Sequence, residues 1–333
     1  MTNTAFKIII FENIQQIVRS NANDKFFIIF GNFGNINIPV LFPGYPPATG
    51  VFHSFFMFLE NKFVEGYMYM SMNLLCLSLI MPIFNKLSNK ISITSLLIMA
   101  IGICVPMNMF NDIYVDIFLG LIMAYIVYTY FLSDKIDSLL IVNLSLASLV
   151  LCATKEAGLG ICLIALIIIA IDLLCFRRND LKEYLKKKIN WLILMLPIIA
   201  ILFAKISWTI YKNIYNLNPA WSTSAITFYG IVNYLFNANS FQKTVTYRFF
   251  EALIGSSIII TFVAILCFTL YLSTGFKTKN YKRDLTNAFS ILCGFIIYAI
   301  SLLILYIFTY SHHEALKLAS YNRYFSTYLT SFT

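Results

Sequence analysis

Residues 138–176 read SLLIVNLSLASLVLCATKEAGLGICLIALIIIAIDLLCF, and only Lys155, Glu156 and Asp172 carry charge in this block. One helix crosses the hydrocarbon core with about twenty apolar residues, so a block this long suits two crossings. The polar triplet Thr154-Lys155-Glu156 marks the turn and divides the block into spans at 138–153 and 157–176. The first is short and fits a thin or tilted crossing. A hairpin of this kind places Lys155 and Glu156 at a membrane surface, where they neutralise each other or reach a nearby charge.

Working outward, six further segments have the length and apolarity of spans: 65–85, 92–109, 112–132, 190–210, 252–273 and 286–309. The whole composition agrees, with 59% hydrophobic residues, 12% charged residues and a mean hydropathy of +0.78. A soluble domain has about 45–50% apolar and about 25% charged residues. A soluble enzyme, a nucleic-acid-binding module and a disordered tail are therefore excluded, and the surrounding solvent is a lipid bilayer. The fold class is an all-α polytopic membrane protein with about eight transmembrane helices. The expected organisation is an outer-face loop with amphipathic and interfacial helices at 1–64, the transmembrane helical domain at 65–309, and the start of a further outer-face loop at 310–333. With no span in the first 64 residues and an end in mid-loop, the chain is expected to belong to a longer one. The seven cysteines lie in or beside apolar stretches without a CxxC pair and read as small buried hydrophobes.

Alternation of the spans makes a statement about charge. The connections 86–91, 133–137, 177–189 and 274–285 hold thirteen Lys and Arg in thirty-six residues. The opposite set, 1–64, 110–111, 154–156, 211–251 and 310–333, holds ten in one hundred and thirty-four. Dense positive charge marks the cytoplasmic side, so the long aromatic segments fall outside. The net charge of +9 is thus explained by topology, and no nucleic-acid partner is needed. Chemistry or recognition is expected on the outer face, where irregular backbone can be hydrated.

Several outer residues stand out. Tyr45-Pro46-Pro47 makes a rigid corner before VFHSFFMFL, which has the length of an interfacial helix. Asp112 and Asp116 share one helix face at the outer end of a span, where a carboxylate is costly unless wetted, paired or bound to a cation. Asp112 also suits a plain helix N-terminus. Lys155 can hold a phosphate as a point charge, or simply cap its hairpin. His312, His313 and Glu314 lack the spacing of a zinc site. Arg323, with Tyr321 and Tyr324 beside it, suits a lipid phosphate, because a guanidinium gives two parallel hydrogen bonds and tyrosines sit at headgroup level. The plain alternative is interfacial anchoring. Residues 211–251, with Trp221, Tyr229, Tyr234, Tyr247 and Arg248, suit amphipathic helices on the membrane surface.

Four stretches in fixed order add a resemblance: YPPATGVFHSFF at 45–56, FNDIYVDIFLGLIMAY at 110–125, ATKEAGLGICLIAL at 153–166 and EALKLASYNRYFSTYL at 314–329. They resemble, in turn, the YPPG-type corner, the acidic helix start, the KE-G hairpin and the late E…S-x-x-RY segment of bacterial membrane glycosyltransferases of the C-type (GT-C) fold. That family is related to the dolichyl-phosphate-mannose–protein mannosyltransferases. The resemblance implies transfer of a sugar from a polyprenyl-phosphate donor to a glycan, lipid or protein acceptor on the outer face. It implies that Lys155, Arg323 and Tyr324 bind the donor phosphate. Asp112, Asp116, Glu156 and Glu314 would orient substrate or a cation, and Tyr45, Pro46 and Pro47 would frame the acceptor. Some members use a divalent cation, Mg or Mn. The family's general base is an acidic residue in the first outer loop after a first span. That span is missing here, Glu12 and Asp24 are the weak candidates in place, and the base is expected upstream. A flippase or transporter of lipid-linked saccharides, with Asp172 and Lys205 as its ionisable groups, and an O-antigen-type polymerase are the rival readings.

Overall fold

A computed structural model describes residues 46, 48–60, 65–87, 115–214, 216, 226–275 and 281–332. In chain order the helices are α1 (Ala48–Glu60), α2 (Glu65–Leu87), α3 (Val115–Leu132), α4 (Ser138–Thr154), α5 (Gly158–Cys175), α6 (Arg178–Tyr184) and α7 (Lys188–Leu194). There follow α8 (Leu196–Ile214), α9 (Phe228–Asn237), α10 (Ser240–Gly255), α11 (Ser257–Gly275), α12 (Tyr281–Phe308), α13 (His312–Leu316) and α14 (Tyr321–Thr330). No strand occurs among the described residues. The chain divides into two units, Met1–Cys162 with Glu183–Ala220, and Leu163–Lys182 with Trp221–Thr333.

In the first unit α4 is the hub, packed by α3, α7 and α8. Asp137 starts it, accepting a hydrogen bond from the Leu140 amide at 2.8 Å. Its buried face carries Ser145, Ala147 and Ser148 among larger residues, so neighbouring helices approach closely. Leu139, Val142, Leu146 and Val150 stay exposed on the other side. The helix stops at Thr154, because Lys155 is extended, with φ −157° and ψ 150°. The turn closes when the Gly158 amide donates to the Lys155 carbonyl at 2.9 Å. Between α7 and α8, Pro197 in the first turn of α8 lacks an amide proton and interrupts the ladder at Met195.

In the second unit α12 is a helix of 28 residues, about 42 Å long. Around it lies an aromatic core in which Phe262 stacks on Phe295 at 4.3 Å and Phe249 meets Tyr321 edge-on at 5.6 Å. α14 runs back along α12. Tyr306, Tyr298 and Tyr328 donate to the carbonyls of Ala319, Tyr324 and Ile291 at 2.7, 2.7 and 2.8 Å. The partners on α12 descend in number as those on the tail ascend, so the two helices are antiparallel. Gly294 makes room, because a Cβ there would lie 2.5 Å from the Tyr328 hydroxyl. Where the sequence reads as the start of a loop, α14 therefore buries Tyr321, Phe325, Thr327, Tyr328 and Thr330.

Four helices among the described residues are long and apolar enough to cross a membrane: Val115–Leu132, Gly158–Cys175, Lys188–Ile214 and Tyr281–Phe308. The chain is an all-α membrane protein. Expected spans at 65–85 and 138–153 coincide with α2 and the shorter α4, and 92–109 lies outside the described residues. Of the expected span at 252–273, residues 257–273 lie in α11 and the first four do not. Residues 252–255 end α10, Ser256 is extended, with φ −88° and ψ 154°, and the axis bends by 51° into α11. The α10 start is fixed by a capping box between Asn239 and Gln242.

Candidate functional site

At one end of the first unit two ion pairs stand where α3 begins and α4 and α8 end. The Lys155 ammonium donates to Asp116 at 2.6 Å, with the Asp116 side chain only 4% exposed. The next residue, Glu156, accepts from Lys212 at 2.5 Å. The hairpin charges thus pair outward to α3 and α8 instead of to each other. A buried carboxylate needs such a partner, because its desolvation is expensive. Asp116 and Glu156 stand out in the sequence as groups that need partners; Lys212 does not, being one cation in a long polar segment.

The opposite end of this unit is fixed by Tyr184, whose hydroxyl lies 3.2 Å from Ser138 at the start of α4. The start of α4 and Tyr184 therefore lie at the same end of this unit. In the second unit Asp172, near the end of α5, is fully buried and accepts from Arg283 Nε and Nη2 at 2.7 and 2.8 Å. The end of α5 and the start of α12 therefore share an end too. Asp172 stands out in the sequence as an ionisable group in an apolar run, but its partner does not, since Arg283 sits in a cluster of basic residues.

Arg323 lies in the first turn of α14 in the second unit. Its Nη2 donates to the Tyr324 hydroxyl at 3.2 Å, and its guanidinium carbon lies 5.0 Å from that ring's centroid. The Tyr310 hydroxyl donates to the Tyr324 oxygen at 2.7 Å. Burial and the neighbouring Tyr324 push the Tyr310 hydroxyl well above the usual phenol range, so it stays a donor. Glu314 completes a capping box with Ser311 at the start of α13, its Oε2 2.8 Å from the Ser311 hydroxyl. Arg248 holds the end of α13 by donating to the Leu316 carbonyl at 2.7 Å. His312 stacks on Phe241 at 3.9 Å.

One buried polar pair had no sequence signal. His53 on α1 is 1% exposed, and its Nδ1 lies 2.5 Å from the Ser71 hydroxyl on α2. Ser71 gives its proton to the Met68 carbonyl at 2.9 Å, so Nδ1 carries the imidazole proton. Nε2 is buried without a hydrogen-bond partner. Burial lowers the His53 pKa from 6.5 to about 4. The unfolded chain therefore takes up a proton below about pH 6.5 while the folded one stays neutral down to about pH 4. Stability present above that window is lost as pH falls through it, by about 3 kcal/mol in total. Thermal melts in detergent across this range should show the loss in wild type and a smaller one in His53→Phe. Parallel curves would remove His53 as the cause.

Pro46 is buried, while Glu12, Asp24, Tyr45, Pro47 and Asp112 lie outside the described residues. Among the described residues no group of three or more His, Cys, Asp or Glu is placed to hold a metal ion. The Asp116 pairs belong to the first unit and the Arg323 cluster to the second. No family model matches the chain, and no match is found among curated proteins or solved structures.

Proposed function

We propose that the chain is a membrane glycosyltransferase of C-type architecture with about eight spans. It takes a sugar from a polyprenyl-phosphate donor and passes it to a glycan, lipid or protein acceptor on the outer face of the cell membrane. The observation that supports this reading is Arg323. Its guanidinium stands in a tyrosine cluster just past the end of α12, the longest apolar helix among the described residues. A lipid phosphate arriving at that level meets a planar pair of N–H donors flanked by phenol hydroxyls. Charge grows on this phosphate as the sugar leaves, so donors already fixed there favour the transition state.

Lys155, Asp116, Glu156 and Glu314 take supporting parts in this reading. The first three hold the end of the α4–α5 hairpin in its ion pairs, and Glu314 shapes the turn that precedes Arg323. With these carboxylates engaged, the general base that accepts the acceptor's proton is assigned outside the described residues, where Glu12 and Asp24 lie.

In reconstituted vesicles with a polyprenyl-phosphate sugar, Arg323→Ala should slow transfer by about a hundred-fold or more. Arg323→Lys should recover part of it, since it keeps the charge and loses the paired geometry. Turnover unchanged in Arg323→Ala would end the phosphate assignment.

A flippase for the same lipid-linked saccharides is the second reading. The bend at Ser256 and the buried Asp172–Arg283 pair, both in the second unit, favour it. Movement of the donor across the bilayer without sugar transfer would select it.

A further inference from the structure

We propose that Lys186, Lys187, Lys188 and Trp191 form a binding site for anionic phospholipid headgroups. All four belong to the first unit and open the span Lys188–Ile214. The three lysines are exposed, and none forms an ion pair among the described residues. Glu183, the nearest acidic residue in the same segment, is also exposed and leaves the local balance positive.

The segment is held in one orientation. Asn190 is buried, and its Nδ2 donates to the Tyr184 carbonyl at 2.6 Å. With Asn190 turned inward, helical spacing puts Lys188, Trp191, Leu192 and Met195 together on the opposite face. Trp191, Leu192 and Met195 are 54%, 67% and 41% exposed. Ammonium, indole and alkyl groups thus follow one another along one face, within about 10 Å of helix rise. Phosphate, interface and acyl chains follow one another in the same order across half a bilayer. The indole and alkyl groups would accept any phospholipid. The three unpaired cations select one with net negative charge. The inference rests on the membrane placement and holds whether or not the chain transfers a sugar.

Trp191→Phe is not needed as a probe, because Trp191 itself reports. In the full chain with Trp208→Phe and Trp221→Phe, it is the sole tryptophan. Such protein is reconstituted in phosphatidylcholine vesicles holding a minority of phosphatidylglycerol, with bromine on one lipid or the other. Brominated phosphatidylglycerol should quench Trp191 as though enriched about five-fold or more over its bulk share, the effect of a single lysine at an anionic surface. In K186Q/K187Q/K188Q the enrichment should vanish. Mass spectrometry of lipid retained on the wild type and on the triple variant gives a second readout that leaves every tryptophan in place. Quenching in proportion to bulk composition, or enrichment that persists in the triple variant, would overturn the proposal.

Discussion

Asp172→Ala is expected to destabilise the second unit by about 3–5 kcal/mol, read as a large fall in Tm in detergent. Asp172 is fully buried, and both its oxygens accept from Arg283, at 2.7 and 2.8 Å. Removing the carboxylate leaves a guanidinium, 24% exposed, without its counter-charge beside apolar helices. Arg283→Ala should cost a similar amount by stranding the carboxylate. The double variant should cost much less than the two single changes together, because neither charge is then left alone. Arg283→Lys should fall between, since one ammonium cannot reproduce the paired contact. Additive single effects would mean that the two groups do not meet. The same pair ties the end of α5 to the start of α12 and so fixes the frame on which α14 and Arg323 are mounted.

Gly158→Ala is the second large effect, at about 3 kcal/mol. A Cβ at Gly158 would stand 2.0 Å from the Leu151 carbonyl oxygen and 2.9 Å from its carbon. Both atoms are backbone, so no side-chain rotation relieves the overlap, and the α4–α5 hairpin must open. Lys155 lies in that turn, so its contact with Asp116 should loosen together with the fold. Gly160, two residues on, has nothing within 4 Å of its Cβ position. Gly160→Ala should therefore be neutral or stabilise α5 by about 0.5–1 kcal/mol. Equal melting of the two variants would show that the hairpin is wider than described.

Most helices could be read from the sequence because their limits are chemical. Asp137 and Thr154-Lys155-Glu156 bound α4 within one residue of the expected span, and α5 ends at Cys175, just before Arg177-Arg178. The bend at Ser256 could not be read, since Gly255-Ser256-Ser257 interrupts an apolar run without proline or charge. Nor could the burial of α14, whose Tyr, Ser and Thr residues look like a wet loop. Its burial depends on carbonyl partners supplied by α12 and on the space at Gly294, neither of which has a local signature. The candidate site was half legible. Tyr324 beside Arg323 is visible in the sequence, but Tyr310 reaches it from across a turn. Lys155 had two carboxylates open to it, and the fold, not the spacing, selects Asp116 over Glu156.

In the proposed function α12 crosses the bilayer and delivers Arg323 to the outer face. Single cysteines on either side of α12, Lys282→Cys in its first turn and His313→Cys in α13 just beyond its end, both at exposed positions, test it in a chain otherwise free of cysteine. A membrane-impermeant maleimide added to intact cells should label residue 313 at once and residue 282 only after the membrane is opened. Labelling of both from outside, or of residue 282 alone, would contradict the placement and with it the phosphate site.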